Sequence, residues 1–132
     1  MDTIDGESLV FSGDTAPCDR LIELAQDCDL LIHECTFPQK AIDFRSKAGI
    51  GTWAHTSPVD LGKIAVSARA KSLVATHFGH FDTTNPVLKK HLEKHMPVEL
   101  VGPEFMEDVV TDIRRTYKGP LRIASDLMRI DL

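Results

Sequence analysis

No CxxC pair occurs in the chain, and its three cysteines, Cys18, Cys28 and Cys35, are an odd number. A disulfide framework is therefore excluded as an organising device, and reduced thiols of a cytoplasmic protein are expected. Cys28 falls on the apolar stripe of a helical pattern, so buried free thiols are expected rather than a zinc site made from all three. No apolar run reaches the ~18 residues that a membrane span needs. The opening Met1-Asp2-Thr3-Ile4-Asp5-Gly6 is acidic and lacks the positive and apolar regions of a secretory signal. Positive charge is in deficit: 15 Lys and Arg stand against 20 Asp and Glu, a net charge of −5. No basic stripe argues for binding to duplex nucleic acid. Internal repeats, low-complexity tracts and Pro/Gly/Ser-rich linkers are absent as well, so residues 1–132 are read as a single domain.

What is present is an alternation of short apolar runs with helical patterns. Ser8–Phe11 reads as a strand, and Gly13-Asp14-Thr15-Ala16-Pro17 as a turn with Pro17 suited to a first helical turn. Leu21, Leu24, Ala25 and Cys28 recur at i, i+3, i+4, i+7 and mark a helix face. Leu30–His33 is a second strand. The stretch from Phe37 to Trp53 is variable and partly helical, between Gln39 and Ala48. Ser57-Pro58-Val59-Asp60 is a capping signature, followed by Leu61, Ile64, Ala65 and Ala68 at helical spacing. Ser72–Thr76 is a third strand. This β-α-β-α-β order is that of a parallel sheet with helical crossovers. Further on, Pro86 to about His95 reads as a helix and Val98–Val101 as a strand. Phe105 to Tyr117 reads as another helix, and Leu121–Ala124 and Leu127–Ile130 as closing strands.

Three of these strands run into chemically active residues: the first into Asp14, the second into His33-Glu34, the third into His77. In an open parallel sheet the carboxyl ends of the strands share one edge, where sites form. A crossover helix starts at that edge, which brings His55 to it as well. Each residue also has a plainer role open to it. Asp14 or Thr15 suits a helix cap, His33 and Glu34 a strand end, His55 a loop before a cap, and His77 and His80 a strand's exit. His91 and His95 are four apart, but Lys89, Lys90 and Lys94 surround them, which marks a solvated face. Phe37 and Trp53 are read as packing residues. The joint pattern is what singles out the rim. It offers carboxylate oxygen and imidazole nitrogen, the donors of zinc, manganese or iron, and an acid–base pair besides.

The stretches "VFSGDTAPCDRLIELAQDCDLLIHECTF", "AHTSPVDLGKIAVSARAKSLVATHF" and "GPLRIASDLMRIDL" carry a resemblance. They resemble the C-terminal half of a metallo-β-lactamase-fold hydrolase, in the branch that holds ribonuclease Z and its phosphodiesterase and arylsulfatase-like relatives. The fold this implies is α/β, one half of an αββα sandwich, with one mixed sheet and flanking helices. The roles it implies are metal ligation by Asp14 ("SGDT"), bridging two ions about 3.5–4 Å apart, and by His77 ("THF"). His55 ("AHTS") would protonate the leaving oxygen, and Glu34 ("HECT") would orient His55 and fix its tautomer. The nucleophile would be a water activated by the metals' charge. Cys35, and the order His55-Thr56-Ser57, depart slightly from the branch's pattern.

The larger departure is that the family's His-x-His-x-Asp-His motif occurs nowhere in the chain. Asp14 and His77 alone cannot hold a dinuclear centre, since catalytic zinc needs at least three protein ligands. The expectation is a metal-dependent phosphodiesterase-like hydrolase, with RNA or a small ester as substrate, inactive and without tightly held zinc as this chain alone. A missing N-terminal half or a second copy, as in a homodimer, would cover an apolar sheet face left open. The alternative is a non-catalytic interaction or dimerisation module derived from the same fold. A weaker one is an anion cradle at "SGDTAP", where Pro17 removes a donor.

Overall fold

The structure, a computed structural model, describes residues 6–51, 54–79, 86–93, 102 and 104–131. Four strands, β1 (Leu9–Phe11), β2 (Leu30–Glu34), β3 (Ser72–Thr76) and β4 (Leu121–Ile123), form one sheet in the order β1-β2-β3-β4. Every neighbouring pair is parallel, with Leu31 opposite Leu73 and His33 opposite Ala75 in the central pair. Among the described residues the sheet is thus all parallel, where a mixed one is expected. Each connection contains a helix and returns the chain to the same end, which forces the strands to run one way.

The helices are α1 (Asp19–Leu24), α2 (Gln39–Lys47), α3 (Pro58–Ser67), α4 (Pro86–Glu93) and α5 (Glu104–Arg114). A sheet in sequential order with right-handed crossovers places its crossover helices on one face. The core bears this out. Val10, Leu31, Leu73 and Ala75 share one strand parity and pack with Leu61, Ile64, Ala65, Val109 and Ile113 in a single buried cluster. At the base of the sheet, Asp29 accepts from Lys71 Nζ at 2.6 Å, Ser8 N at 2.8 Å and Ser8 Oγ at 3.1 Å. These bonds tie the starts of the first three strands together and hold the Asp29 carboxyl down at about 2.

Helix α3 begins as its sequence dictates. Ser57 Oγ accepts from Asp60 N at 3.0 Å and donates to the Asp60 carboxylate at 2.8 Å. Its Gly62 sits where α5 crosses. A Cβ there would lie 2.6 Å from the Ile113 carbonyl oxygen and closer still to Thr116 Oγ1. Backbone cannot yield as a flexible side chain can, so Gly62→Ala is expected to destabilise the fold by about 1–3 kcal/mol, the usual cost of overpacking. Urea unfolding checks this; an unchanged midpoint would refute the close crossing.

Other expectations shift in detail. Helix α1 ends at Leu24, and its core-facing residues are Leu21, Ile22 and the following Ala25 and Cys28, while Leu24 is 71% exposed. Neither Asp14 nor Thr15 caps it; Cys18 takes the cap position with no side-chain bond, and Pro17 lies outside the helix. Residues 127–130 are not a strand. Leu127 has φ +60°, and Met128 N donates to Ser125 O at 3.1 Å, so the chain turns where extension was expected. The proposed strand at 98–101, together with Trp53, His80 and His95, lies outside the described residues; His91 is exposed on α4.

The second sheet face is less open than its lack of helices suggests. Leu30 and Val74 are each only 2% exposed, and with Ile130 and Asp131 they line a cavity of about 290 Å³. The exposed large apolar side chains among the described residues, including Phe11 on this face, sit on six separate segments. Among the described residues no helix is long and apolar enough to cross a membrane.

Candidate functional site

The carboxyl ends of β1, β2 and β3 do meet at one rim. After β1, Ser12 N still bonds to Ile32 O at 3.0 Å, and Gly13 at φ +60° then turns the chain. That left-handed position suits glycine and leaves Asp14 62% exposed on the rim. At the end of β2, Glu34 is buried, with 2% exposure. At the end of β3, His77 adopts φ +60°, a conformation costly for a residue with a Cβ. His55 arrives from the loop before α3.

Glu34 organises the site. Its Oε1 accepts from Thr15 N (3.1 Å), His55 Nδ1 (3.0 Å) and Thr56 N (3.2 Å). Its Oε2 accepts from Thr36 N (3.0 Å) and Thr36 Oγ1 (2.8 Å). Three backbone amides, a hydroxyl and an imidazole thus converge on one carboxylate. His55 Nδ1 is the donor in its bond, so the neutral ring turns Nε2 away from Glu34. The His55 and His77 rings stack with centroids 5.7 Å apart, and Phe37 meets His55 edge-on at 5.5 Å. The Arg45 guanidinium lies over Phe37's ring, 4.7 Å from its centroid. Phe37 is therefore a packing residue, as read, and what it packs is the site's histidine.

His33 does not join the rim. Strand alternation gives it the parity of Leu31, so it points to the helix side, fully buried, and its Nδ1 donates to Glu34 O at 2.8 Å. Burial pushes its imidazole below the ordinary histidine range. Cys28 and Cys35 are buried free thiols, and burial pushes both upward.

The donor set bears on a metal directly. Glu34, His55 and His77 each place one donor atom within 4.8 Å of the others. Glu34, however, already accepts five hydrogen bonds, more than the roughly four lone-pair sites of a carboxylate. It is spent on orienting its neighbours. Asp14 Oδ1 and His77 Nε2 are 3.6 Å apart and both face solvent. Two ligands at about 2.0–2.2 Å from one tetrahedral ion stand at a comparable separation. Asp14 and His77 therefore fit as two ligands of an ion. Next to His77 an open cavity of about 740 Å³ runs past Phe78, Gly79, Ala124, Ser125 and Asp126.

Two residues of this network carry no signal by themselves in the sequence. Thr36 links Glu34 to both histidines, and Thr56 adds an amide to Glu34 while its hydroxyl donates to Thr15 O at 2.7 Å. The available clue for Thr36 was its place two residues after a strand-ending acid, where a side-chain turn forms readily.

This one-sided parallel sheet, with these residues gathered on its rim, is similar to part of the metallo-β-lactamase fold. The solved metallo-β-lactamase fold protein YhfI from Bacillus subtilis matches it with a TM-score of 0.63 over 92% of this chain and 39% of that one, at 23% identity. In sequence it is 30% identical over 131 residues to the ribonuclease Z of Myxococcus xanthus, covering 96% of this chain and 33% of that protein. It is 42% identical over 104 residues to the ribonuclease Z of Bacillus subtilis, covering 77% of this chain and 32% of that protein. No family model matches the chain. The chain thus carries part of the metallo-β-lactamase fold in a ribonuclease Z-like form, and it spans about a third of the length of these relatives.

Proposed function

We propose that this chain supplies one side of a metal-dependent phosphodiesterase site of the ribonuclease Z kind, with RNA or a related phosphodiester as substrate. Asp14 and His77 act as ligands of zinc. His55 delivers a proton to the leaving oxygen, and Glu34 holds its ring in place. Bound ions would supply Lewis acidity and an activated water. The remaining ligands come from a segment outside this sequence or from a partner chain. The observation that carries this reading is the pairing of two unlike devices on one rim: a solvent-facing Asp14–His77 pair, and a buried carboxylate aligning His55 beside it.

Isothermal titration of the chain alone with zinc is expected to show no tight binding. Adding a complementary segment that carries His-x-His-x-Asp-His should restore zinc uptake and hydrolysis of bis(p-nitrophenyl) phosphate. Asp14→Ala in that assembly should abolish both. Normal turnover by the Asp14→Ala assembly would overturn the assignment, and tight zinc binding by the lone chain would contradict the incomplete ligand set.

A further inference from the structure

The Thr36 hydroxyl touches Glu34 and both histidines of the site. It lies 2.8 Å from Glu34 Oε2, 2.6 Å from His77 Nδ1 and 3.2 Å from His55 Nδ1, and Thr36 is buried, at 9% exposure. A hydroxyl has one proton to give, and an ionised carboxylate can only accept. A hydrogen bond to a charged acceptor is also the stronger one. The Thr36 proton therefore goes to Glu34 Oε2, and the hydroxyl's lone pairs are left to accept. Only one arrangement of His77 then satisfies the 2.6 Å contact: its Nδ1 carries the proton and donates to Thr36. Its Nε2 is then a bare lone pair, and that is the atom facing Asp14 Oδ1 at 3.6 Å. The left-handed backbone at His77 holds the ring in reach of both partners. His55 Nδ1 donates to the other oxygen of the same carboxylate.

We propose that Thr36 is a positioning residue that locks His77 in its Nδ1–H tautomer, relaying the buried Glu34 charge to a second histidine and presenting Nε2 ready for a metal cation. A ligating histidine commonly donates its other nitrogen to an outer partner, and removing that partner typically costs 10–100-fold in metal affinity. Here the outer partner is a hydroxyl, itself oriented by a carboxylate that also orients His55. The link to a metal rests on the hydrolase reading above; the tautomer does not.

The test is long-range ¹H–¹⁵N correlation NMR of the imidazoles in the metal-free full chain, at about pH 8.5, where an ordinary imidazole is neutral. Wild type should show His77 protonated on Nδ1. Thr36→Val keeps the side chain's shape, removes the hydroxyl, and should move His77 to the Nε2–H form. Thr36→Ser restores the hydroxyl and should restore Nδ1–H. In the complemented assembly, Thr36→Val should bind zinc about 10–100-fold more weakly, and Thr36→Ser close to wild type. Wild-type His77 carrying its proton on Nε2 would overturn the proposal without any variant being needed, as would Nδ1–H persisting in Thr36→Val. If the tautomer follows the hydroxyl but no assembly takes up zinc, the positioning role stands and the hydrolase reading fails.

Discussion

Replacing Glu34 with alanine is expected to lower the free energy of unfolding by about 3–5 kcal/mol, the cost of breaking a buried charged network from one side. Glu34 accepts from the backbone amides of Thr15, Thr36 and Thr56, which lie in three separate loops. Without the carboxylate these amides lose their acceptor at once, and a buried donor left unsatisfied costs about 1–3 kcal/mol. Water entering the vacated volume recovers part of that sum. Domains of this size are stable by only about 5–15 kcal/mol, so the variant should be marginal at 37 °C. Glu34→Gln should fall between it and wild type, because a carboxamide keeps one acceptor oxygen but turns an NH₂ group toward donors. Urea unfolding with constant slope measures the effect. A loss under about 1 kcal/mol for Glu34→Ala would mean that the three loops are held by something other than this carboxylate.

The second large effect concerns chemistry rather than stability. In an assembly that binds zinc and hydrolyses phosphodiesters, His55→Ala should lower turnover of a diester with an alkoxide leaving group by about 10²–10⁴-fold, the usual worth of a placed general acid. Zinc stoichiometry should be unchanged, since His55 bonds Glu34 through Nδ1 and the ligands proposed above are the solvent-facing Asp14 and His77. The loss should shrink with a substrate whose leaving group needs no proton, such as a nitrophenolate, relative to an alkoxide. Equal loss on both substrates would assign His55 to binding rather than to proton delivery.

Much of this arrangement was legible in the chain because the signals were local. The Ser57-Pro58-Val59-Asp60 cap, the Ser72–Thr76 strand and the rim shared by Asp14, Glu34 and His77 all follow from periodicity, cap chemistry and the geometry of parallel sheets. The strand's end at the carboxyl edge points His33 to the rim, but its parity with Leu31 assigns it to the core face. Leu24 was read into the helix face because the four-residue spacing ignored Ile22, whose burial rotates that face away. The tail at 127–130 looked like a strand by composition, and only the positive φ of Leu127 reveals the turn. Thr36 was invisible for a different reason. Beyond Glu34, two positions before it, its partners His55 and His77 lie 19 and 41 positions away, outside any short window of sequence.

Among the described residues, the outermost strands of the sheet, β1 and β4, are each three residues long. Strands of this length offer only a short template for the ladder that drives fibre growth or strand exchange. A binding partner is therefore steered to the broad surfaces of the described sheet rather than to a sideways extension of its ladder.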